Sequence, residues 1–153
     1  MTANPSSWSH RVPILVLAVV GLIVSSYLTS YQLGLLRTVW DPLFGSVSSA
    51  HVLHSPLSRM LPVPDAGLGA LGYLVDLILT SVGGEERWRT RPAVVLLLGV
   101  VVAGMALVSL GLVCYQAFFA RTFCTLCLVS AAASLVILPL AWEEVAAAAR
   151  VKG

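Results

Sequence analysis

Long stretches without a charged side chain dominate the pattern of this sequence. No Asp, Glu, Lys or Arg occurs from Val12 to Leu36, from Pro92 to Ala120 or from Thr122 to Trp142. A fourth stretch, Ala66 to Gly84, is interrupted only by Asp76. An α-helix needs about 20 consecutive apolar residues to span the hydrocarbon core of a bilayer. The pattern therefore predicts an all-α, integral membrane four-helix bundle, one domain over residues 1–153, with helices at about 12–34, 66–83, 92–119 and 122–142.

Composition supports a membrane protein. The chain is 58% hydrophobic and only 10% charged, which is outside the usual range of soluble globular domains. Its net charge of +2 comes with no basic stripe, so nucleic acid is not an expected partner. The first apolar run is too long for a cleavable signal peptide and lacks a small-residue cleavage pattern, so we expect the first helix to be retained.

Basic residues beside the predicted helices indicate the orientation. Positive charges concentrate on the cytoplasmic side of membrane proteins. With a cytoplasmic N-terminus, six basic residues lie inside and three outside, as follows: Arg11, Arg87, Arg89, Arg91, Arg150 and Lys152 against Arg37, Arg59 and Arg121. We therefore expect a multi-pass protein of a bacterial inner (cytoplasmic) membrane with both termini in the cytoplasm.

The longest segment between predicted helices, residues 37–65, is named the first loop. Its alternation of turn formers with apolar residues predicts a folded structure that caps the extracytoplasmic mouth of the bundle at helices one and two. Burial of large side chains would offset the entropy of ordering such a loop. We expect Trp40, Phe44, Val52 and Leu53 to be buried, and Arg37 and Arg59 to be solvated.

A Cys-x-x-Cys motif, Cys124 to Cys127, opens the fourth predicted helix. Residues three apart share a helix face with Cβ atoms about 5–6 Å apart, close enough for a reversible disulfide after adjustment. Thr122 is the predicted N-cap, which places Cys124 in the first turn, where unpaired N–H groups favour a thiolate. We expect Cys124 to exchange with a soluble partner and Cys127, one turn deeper, to face a membrane-soluble electron carrier.

Other residues have two interpretations. The two cysteines also suit simple apolar packing, and Cys114 is expected to be structural. Asp76 is a candidate for proton transfer or a buried carboxyl that pairs with Ser25, Ser26 or Gln116. His51 and His54 lack a third ligand, so no metal is expected. Because Leu128 follows Cys127, the haem-attachment motif is absent.

Four segments, in this order along the chain, resemble the vitamin K epoxide reductase family. The resemblance is to a bacterial-type member. They are Gly21–Leu28 in helix one, Val52-Leu53 with Ser55-Pro56 in the first loop, Val63-Pro64 with Gly69–Leu74 entering helix two, and Phe123–Ala131 in helix four. The resemblance covers most of the chain. It implies a four-helix membrane oxidoreductase that couples a cysteine pair to a quinone, ubiquinone or menaquinone.

The resemblance also marks departures. Typical members carry a second cysteine pair in the first loop, which exchanges electrons with a thioredoxin-like protein; here those positions fall near Trp40 and Ser49. The family's polar quinone contact at the start of helix two corresponds to Asp65, and the tyrosine of vertebrate members corresponds to Ala131. The resemblance implies a quinone site that includes Asp65, Phe123 and Ser26.

These patterns leave three functional hypotheses, of which the third, a small metal or haem carrier, has no haem-attachment motif to support it. The first is a membrane thiol-disulfide oxidoreductase in which Cys124 and Cys127 are catalytic, a quinone accepts electrons and a thioredoxin-like protein is the soluble partner. The second is a non-catalytic membrane subunit or assembly factor that keeps the fold without the electron relay. The missing cysteines of the first loop are the main argument for the second.

Overall fold

The computed structural model describes residues 4–153, and these residues form helices and connecting loops without a strand, as expected for an all-α protein. In chain order the helices are α1 (Trp8–Gln32), α2 (Gly45–Leu53), α3 (Pro56–Arg59), α4 (Asp65–Ser81), α5 (Arg87–Thr90), α6 (Pro92–Tyr115) and α7 (Thr125–Lys152), with a π-helical turn at Gln116–Ala120 directly after α6.

Three helices within the described residues are long and apolar enough to cross a membrane. They are α1, α6 together with the π-helical turn, and α7. Helix α4 has 17 residues and includes Asp76. The chain is therefore a multi-pass membrane protein.

The start of α7 differs from the prediction. Thr122 is not the N-cap; Cys124 has extended backbone angles and caps the helix, which begins at Thr125. The capping atom is the Cys124 sulfur, which accepts a hydrogen bond from the Cys127 N–H. Helix α7 also continues past the predicted end, because the alanine-rich segment 146–149 has high helix propensity.

The four long helices pack side by side. Helix α1 contacts α4 and α7, and α6 contacts the same two helices. Tyr73 of α4 lies fully buried in their shared core, where its hydroxyl hydrogen-bonds to the Ser134 hydroxyl at 2.6 Å. A Cβ atom on Gly21 of α1 would clash with the Tyr73 ring, so only glycine permits this approach of α1 to α4. The remaining core side chains include Ile14, Leu98, Val102 and Ile137.

Large apolar side chains also cover the outer surfaces of the long helices. Ile23 is 64% exposed, Val100 is 70% exposed and Leu107 is 71% exposed. Apolar surface this extensive is unusual on a soluble monomer. Lipid contact removes it from water, and the helical backbone leaves no unpaired peptide group along these faces.

Two fully buried arginines close the end of the bundle at which α4 terminates. Arg11 donates from Nε to the Thr80 carbonyl at 2.9 Å and from its terminal nitrogen to the Gly83 carbonyl at 3.0 Å. Arg87 also donates to the Thr80 carbonyl, and its guanidinium forms a bidentate ion pair with buried Glu144 at 2.5 and 2.6 Å. The arginines thus satisfy carbonyl groups that a helix end leaves unpaired.

The first loop is ordered at the opposite end. Val52 and Leu53 of α2 are buried, and Arg37 and Arg59 are exposed, as expected. The expectation for two aromatic residues is wrong, because Trp40 is 68% exposed and Phe44 is 43% exposed. The smaller Val39 is buried instead, and the Trp40 N–H donates to the Tyr27 hydroxyl at 2.9 Å. A neighbouring residue in this irregular segment therefore supplies the apolar anchor.

The buried ion pair leads to a stability prediction. Glu144→Gln leaves two buried guanidinium groups without a carboxylate, and breaking a buried pair costs about 3–5 kcal/mol. We expect a clear loss of unfolding free energy in mixed micelles. Glu143→Gln is the matched control, because Glu143 is exposed and such surface changes stay within about 0.5 kcal/mol. Equal stability of the two variants would contradict this role for the pair.

Candidate functional site

The cysteine pair lies at the end of the bundle away from the two buried arginines. The end of α1, the start of α4, the π-helical turn after α6 and the start of α7 meet there. Neither Cys124 nor Cys127 forms a disulfide in the structure. Both are free thiols.

Hydrogen bonds converge on the Cys124 sulfur. The Cys127 N–H donates to it at 3.3 Å. The Cys127 thiol and the Ser49 hydroxyl lie next to it and favour its charged form. The Cys127 thiol has the largest effect, and these bonds together lower the pKa of the Cys124 thiol to about 7, although burial and the Asp41 charge oppose them. A thiolate is thus favoured at Cys124 over an ordinary cysteine.

The two cysteines differ in what they face. Cys124 is fully buried under the first loop, whereas Cys127 is partly exposed and lines a cavity. This placement corrects the expectation that Cys124 is the cysteine nearer to solvent. The reason is that Ser49 of α2 and the apolar residues Val39, Val52 and Leu53 pack around it.

Asp41 joins the first loop to the start of α7, a role that the sequence did not reveal. One carboxylate oxygen accepts from the Thr125 N–H at 2.7 Å and from the Ser49 hydroxyl at 2.5 Å. The other accepts from the Thr125 hydroxyl at 2.5 Å and from the N–H groups of Leu43 and Phe44. An acidic residue just before a proline in a loop was the available signal, but no pattern indicated its partner.

The charge of Asp41 persists at neutral pH. Burial raises its pKa, but the hydrogen bonds from Ser49 and Thr125 outweigh burial and hold the pKa well below its usual range. A lowered pKa in the folded state means that the stabilisation is complete above the unfolded value of about 3.9 and is lost as pH falls through the folded value. The link between the first loop and α7 is therefore intact at physiological pH.

Gln116 fixes the other side of Cys124. It is the first residue of the π-helical turn, it is buried, and its side-chain oxygen accepts from the Cys124 N–H at 3.1 Å. Short π-helical turns occur frequently at functional sites. The sequence indicated Gln116 only as a neighbour for Asp76, because the change of helical phase at this turn is not visible in a hydrophobic run.

A cavity of about 720 Å³ lies beside Cys127. Most of its wall is apolar, and the long helices α1, α4, α6 and α7 all contribute to it, together with α2 and α3. Its polar residues include Ser25, Ser58, Asp65, Gln116 and Ser130, and its apolar residues include Leu28, Leu53, Leu68, Met105, Val108 and Phe119. This combination of a large apolar wall with a few polar groups is typical of small-molecule sites.

Of the three residues expected at the quinone site, only Asp65 lies on the wall of the cavity. Asp65 lines the cavity, where its carboxylate accepts from Gln32 at 2.5 Å and from Ser58 at 2.9 Å. Phe123 and Ser26 do not line it. Phe123 packs against Phe44 of the first loop with ring centroids 5.5 Å apart. Ser26 is exposed on the outer face of α1.

Two neighbours of these positions explain the difference. Adjacent residues on a helix point about 100° apart, so Ser25, and not Ser26, is directed into the cavity. Ala131 also lines the cavity and brings no hydrogen-bonding group. Cys114, expected as a packing residue, is exposed on α6 and lines the same cavity.

Asp76 is buried but separate from the cavity. It is 1% exposed, it is not a lining residue, and its Oδ1 atom has no hydrogen-bond partner within residues 4–153. The predicted partners are engaged elsewhere: Ser25 hydrogen-bonds to Ser130 at 3.3 Å, and the Gln116 oxygen is bonded to the Cys124 N–H. The proton-transfer role of Asp76 therefore stays a prediction.

The described part of the chain contains no group of three or more His, Cys, Asp or Glu side chains placed to hold a metal ion. His54 packs against Tyr31 with ring centroids 5.4 Å apart, and His51 is exposed.

Comparison with known proteins adds one finding. The profile of the Vitamin K epoxide reductase family matches residues 12–142, which is most of the chain. The matched range begins in α1 and ends in α7, so it includes the first loop, the cavity and both cysteines of the motif. No curated protein sequence matches the chain significantly.

The contacts of Asp41 predict how access to Cys124 is controlled. Asp41→Asn replaces one acceptor oxygen by an NH₂ group, which cannot accept from Thr125 or Ser49. Hydrogen bonds to a charged group are worth about 1.5–3 kcal/mol, so we expect Cys124 to be alkylated roughly tenfold faster or more.

The measurement is maleimide labelling of the reduced protein, resolved to individual cysteines by peptide mass spectrometry. His51→Asn is the control, because His51 is exposed on α2. If both variants label Cys124 at the wild-type rate, Asp41 does not hold the first loop over this thiol.

Proposed function

The chain belongs to the Vitamin K epoxide reductase family, and we propose that it is a membrane thiol-disulfide oxidoreductase that couples the Cys124–Cys127 pair to a quinone. Family membership indicates membrane redox activity. The observation that carries the finer proposal is the position of the two sulfurs. They are in hydrogen-bond contact, yet Cys127 lines the apolar cavity and Cys124 faces the first loop.

The proposed reaction balances as a two-electron exchange. Formation of the Cys124–Cys127 disulfide releases two electrons and two protons, which convert one quinone in the cavity to the hydroquinone. Conversely, thiol exchange at Cys124 passes through a mixed disulfide with the soluble partner, and the second thiol of a pair resolves it. The favoured thiolate at Cys124 suits this cysteine to exchange.

The cavity suits a quinone such as ubiquinone or menaquinone. Its volume and apolar wall match a substituted ring with the start of an isoprenoid chain, and its opening among outward-facing apolar side chains fits a ligand that arrives from lipid. Asp65 is the proposed polar contact for the head group, because its carboxylate is already oriented by Gln32 and Ser58. Phe123 and Ser26 are omitted from the proposed site.

We also propose that α4 crosses the bilayer as the fourth helix of a bundle. Arg11 near the start of α1, Thr80 near the end of α4 and Glu144 in the second half of α7 lie at one end. Four spans then place both termini on one side, and the excess of basic residues favours the cytoplasm of a bacterial cell. The first loop and the cysteine pair accordingly lie outside, where disulfides persist.

The first loop lacks the cysteines of typical members, so the proposed electron route is shorter. Ser49 stands near one of those positions and directly contacts Cys124. A soluble thioredoxin-like protein would have to exchange with Cys124 itself, after the first loop has moved away from the buried thiol. Loosening the Asp41 contacts provides that movement.

A second candidate function is a non-catalytic membrane subunit that keeps the family fold. Complete burial of Cys124 favours it, because a covered thiol without a cysteine in the first loop has no ready exchange partner. The two candidates differ in whether Cys124 ever forms a bond to another protein.

Trapping distinguishes the candidates. In Cys127→Ser the resolving thiol is missing, so we expect Cys124 to accumulate a mixed disulfide with an extracytoplasmic thioredoxin-like protein. Cys124→Ser should abolish this species. Non-reducing electrophoresis of membranes from cells that express each variant is the measurement, combined with an assay of quinone-dependent dithiol oxidation by purified wild-type protein.

Cys114→Ser added to Cys127→Ser serves as the control for trapping, because Cys114 is exposed on α6 outside the pair and should leave the mixed disulfide unchanged. If neither cysteine variant traps a partner and the wild type oxidises no dithiol with ubiquinone-1 or menadione, the redox function is wrong and the non-catalytic subunit becomes the better account.

The position of Ser49 gives a separate prediction. Since its hydroxyl contacts the Cys124 sulfur, Ser49→Cys should form a disulfide with Cys124 on mild oxidation. Ser46→Cys is the control, because Ser46 is exposed on the same helix. Both variants carry Cys114→Ser, and mass spectrometry of peptides identifies the bond. Efficient bonding of Cys124 to position 46, with none to position 49, would contradict the observed packing of α2.

A further inference from the structure

The two ends of the Gln116 amide have different surroundings. Its oxygen accepts from the Cys124 N–H at 3.1 Å, whereas its nitrogen makes no hydrogen bond to any residue in the range 4–153. The orientation of the amide follows from chemistry, because only the oxygen can accept from a backbone N–H. Gln116 also lines the cavity beside Cys127. An unpaired NH₂ group with two donor hydrogens on a cavity-lining residue is therefore available to a molecule in the cavity.

Several other polar groups of the cavity wall are already paired. The hydroxyls of Ser25 and Ser130 hydrogen-bond to each other at 3.3 Å, and Ser58 donates to Asp65 at 2.9 Å. An ionised Asp65 carboxylate can only accept hydrogen bonds. Apart from Cys127 itself, Gln116 is the cavity-lining residue whose side chain hydrogen-bonds to the cysteine pair within the described chain.

This arrangement distinguishes the two redox forms of a quinone. A quinone carbonyl is an acceptor and needs a donor, which the Gln116 NH₂ group supplies. A hydroquinone hydroxyl is a donor, and Asp65 supplies an acceptor. Resting on the proposed function, we infer that Gln116 is a quinone-binding residue that donates to a carbonyl of the oxidised ring while its oxygen positions the Cys124 backbone.

The Gln116 side chain would connect the quinone to the cysteine pair. It would contact both the oxidised ring and Cys124, the residue that caps α7. The Cys124 and Cys127 sulfurs are in turn hydrogen-bonded to each other. A ring carbonyl held by Gln116 would lie in the cavity that Cys127 also lines. Binding of the oxidised form and alignment of the pair then depend on the same amide.

The test measures binding without turnover. In a Cys124→Ser/Cys127→Ser background in lipid nanodiscs, equilibrium dialysis gives the Kd of ubiquinone-1, menadione and their hydroquinones. Gln116→Glu replaces the NH₂ donor by an oxygen of similar size and keeps an acceptor for the N–H of residue 124. Gln116→Met removes both the donor and the acceptor. Loss of a hydrogen bond inside an apolar site predicts roughly a tenfold higher Kd for the oxidised probes, with less than a twofold change expected for the hydroquinones.

Two controls separate the outcomes. Phe118→Leu, in the same π-helical turn but exposed and outside the cavity wall, should bind all probes as the background protein does. If the background protein binds none of the four probes, the quinone-linked function is overturned together with this inference. If it binds and both Gln116 variants retain the Kd of the oxidised probes, or lose both redox forms equally, the inference alone is overturned. Either Gln116 variant suffices for the comparison, provided that its Tm equals that of the background protein.

Discussion

The hydrogen-bonding needs of the first N–H groups of α7 are the constraint on which the site depends. The first N–H groups of a helix lack partners within the helix, and lipid offers none. Here each of three is satisfied by a different part of the molecule. Cys124 N–H bonds to Gln116, Thr125 N–H bonds to Asp41, and Cys127 N–H bonds to the Cys124 sulfur. The same bonds therefore fix α6, the first loop and the cysteine pair relative to one another.

The opposite end of the bundle solves the complementary problem with cations. Carbonyl groups at the end of α4 lack intrahelical partners, and Arg11 and Arg87 donate to them. Glu144 neutralises one of the two buried charges. The remaining positive charge lies at the negative end of the α4 dipole, which favours it. Both ends are therefore held by hydrogen bonds to groups that a helix end leaves unpaired.

The sequence predicted the helices better than it predicted the contacts. Membrane-spanning length is a one-dimensional property, so runs of uncharged residues located α1, α6 and α7 to within a few residues at most ends. The predictions were wrong where the rotation of a helix about its axis, or the backbone conformation of a loop, determines the direction of a side chain. Ser26 and Ser25 differ by one residue yet face outward and inward. The loss of Thr122 as N-cap follows from the extended backbone of Cys124, which no propensity indicated.

Asp41 and Gln116 were missed for a related reason. Each acts through a partner distant in sequence, 84 residues away for Asp41 and eight residues across a π-helical turn for Gln116. A family resemblance transfers residues at matched motif positions, and it directed attention to Asp65, which does line the cavity, and to Phe123, which does not. Side chains that connect motifs appear only when the helices are placed in space.

The absence of cysteines in the first loop gives the Asp41 contacts their functional meaning. In a chain with a relay cysteine, the covered thiol could receive electrons without exposure to a soluble protein. In this chain Ser49 occupies the contact and cannot form a disulfide, so exchange requires that α7 lose its bonds to the first loop. The ionised Asp41 keeps those bonds at neutral pH. Exchange by the proposed route is therefore governed by the opening of the first loop, and reoxidation from the cavity by the binding of the quinone.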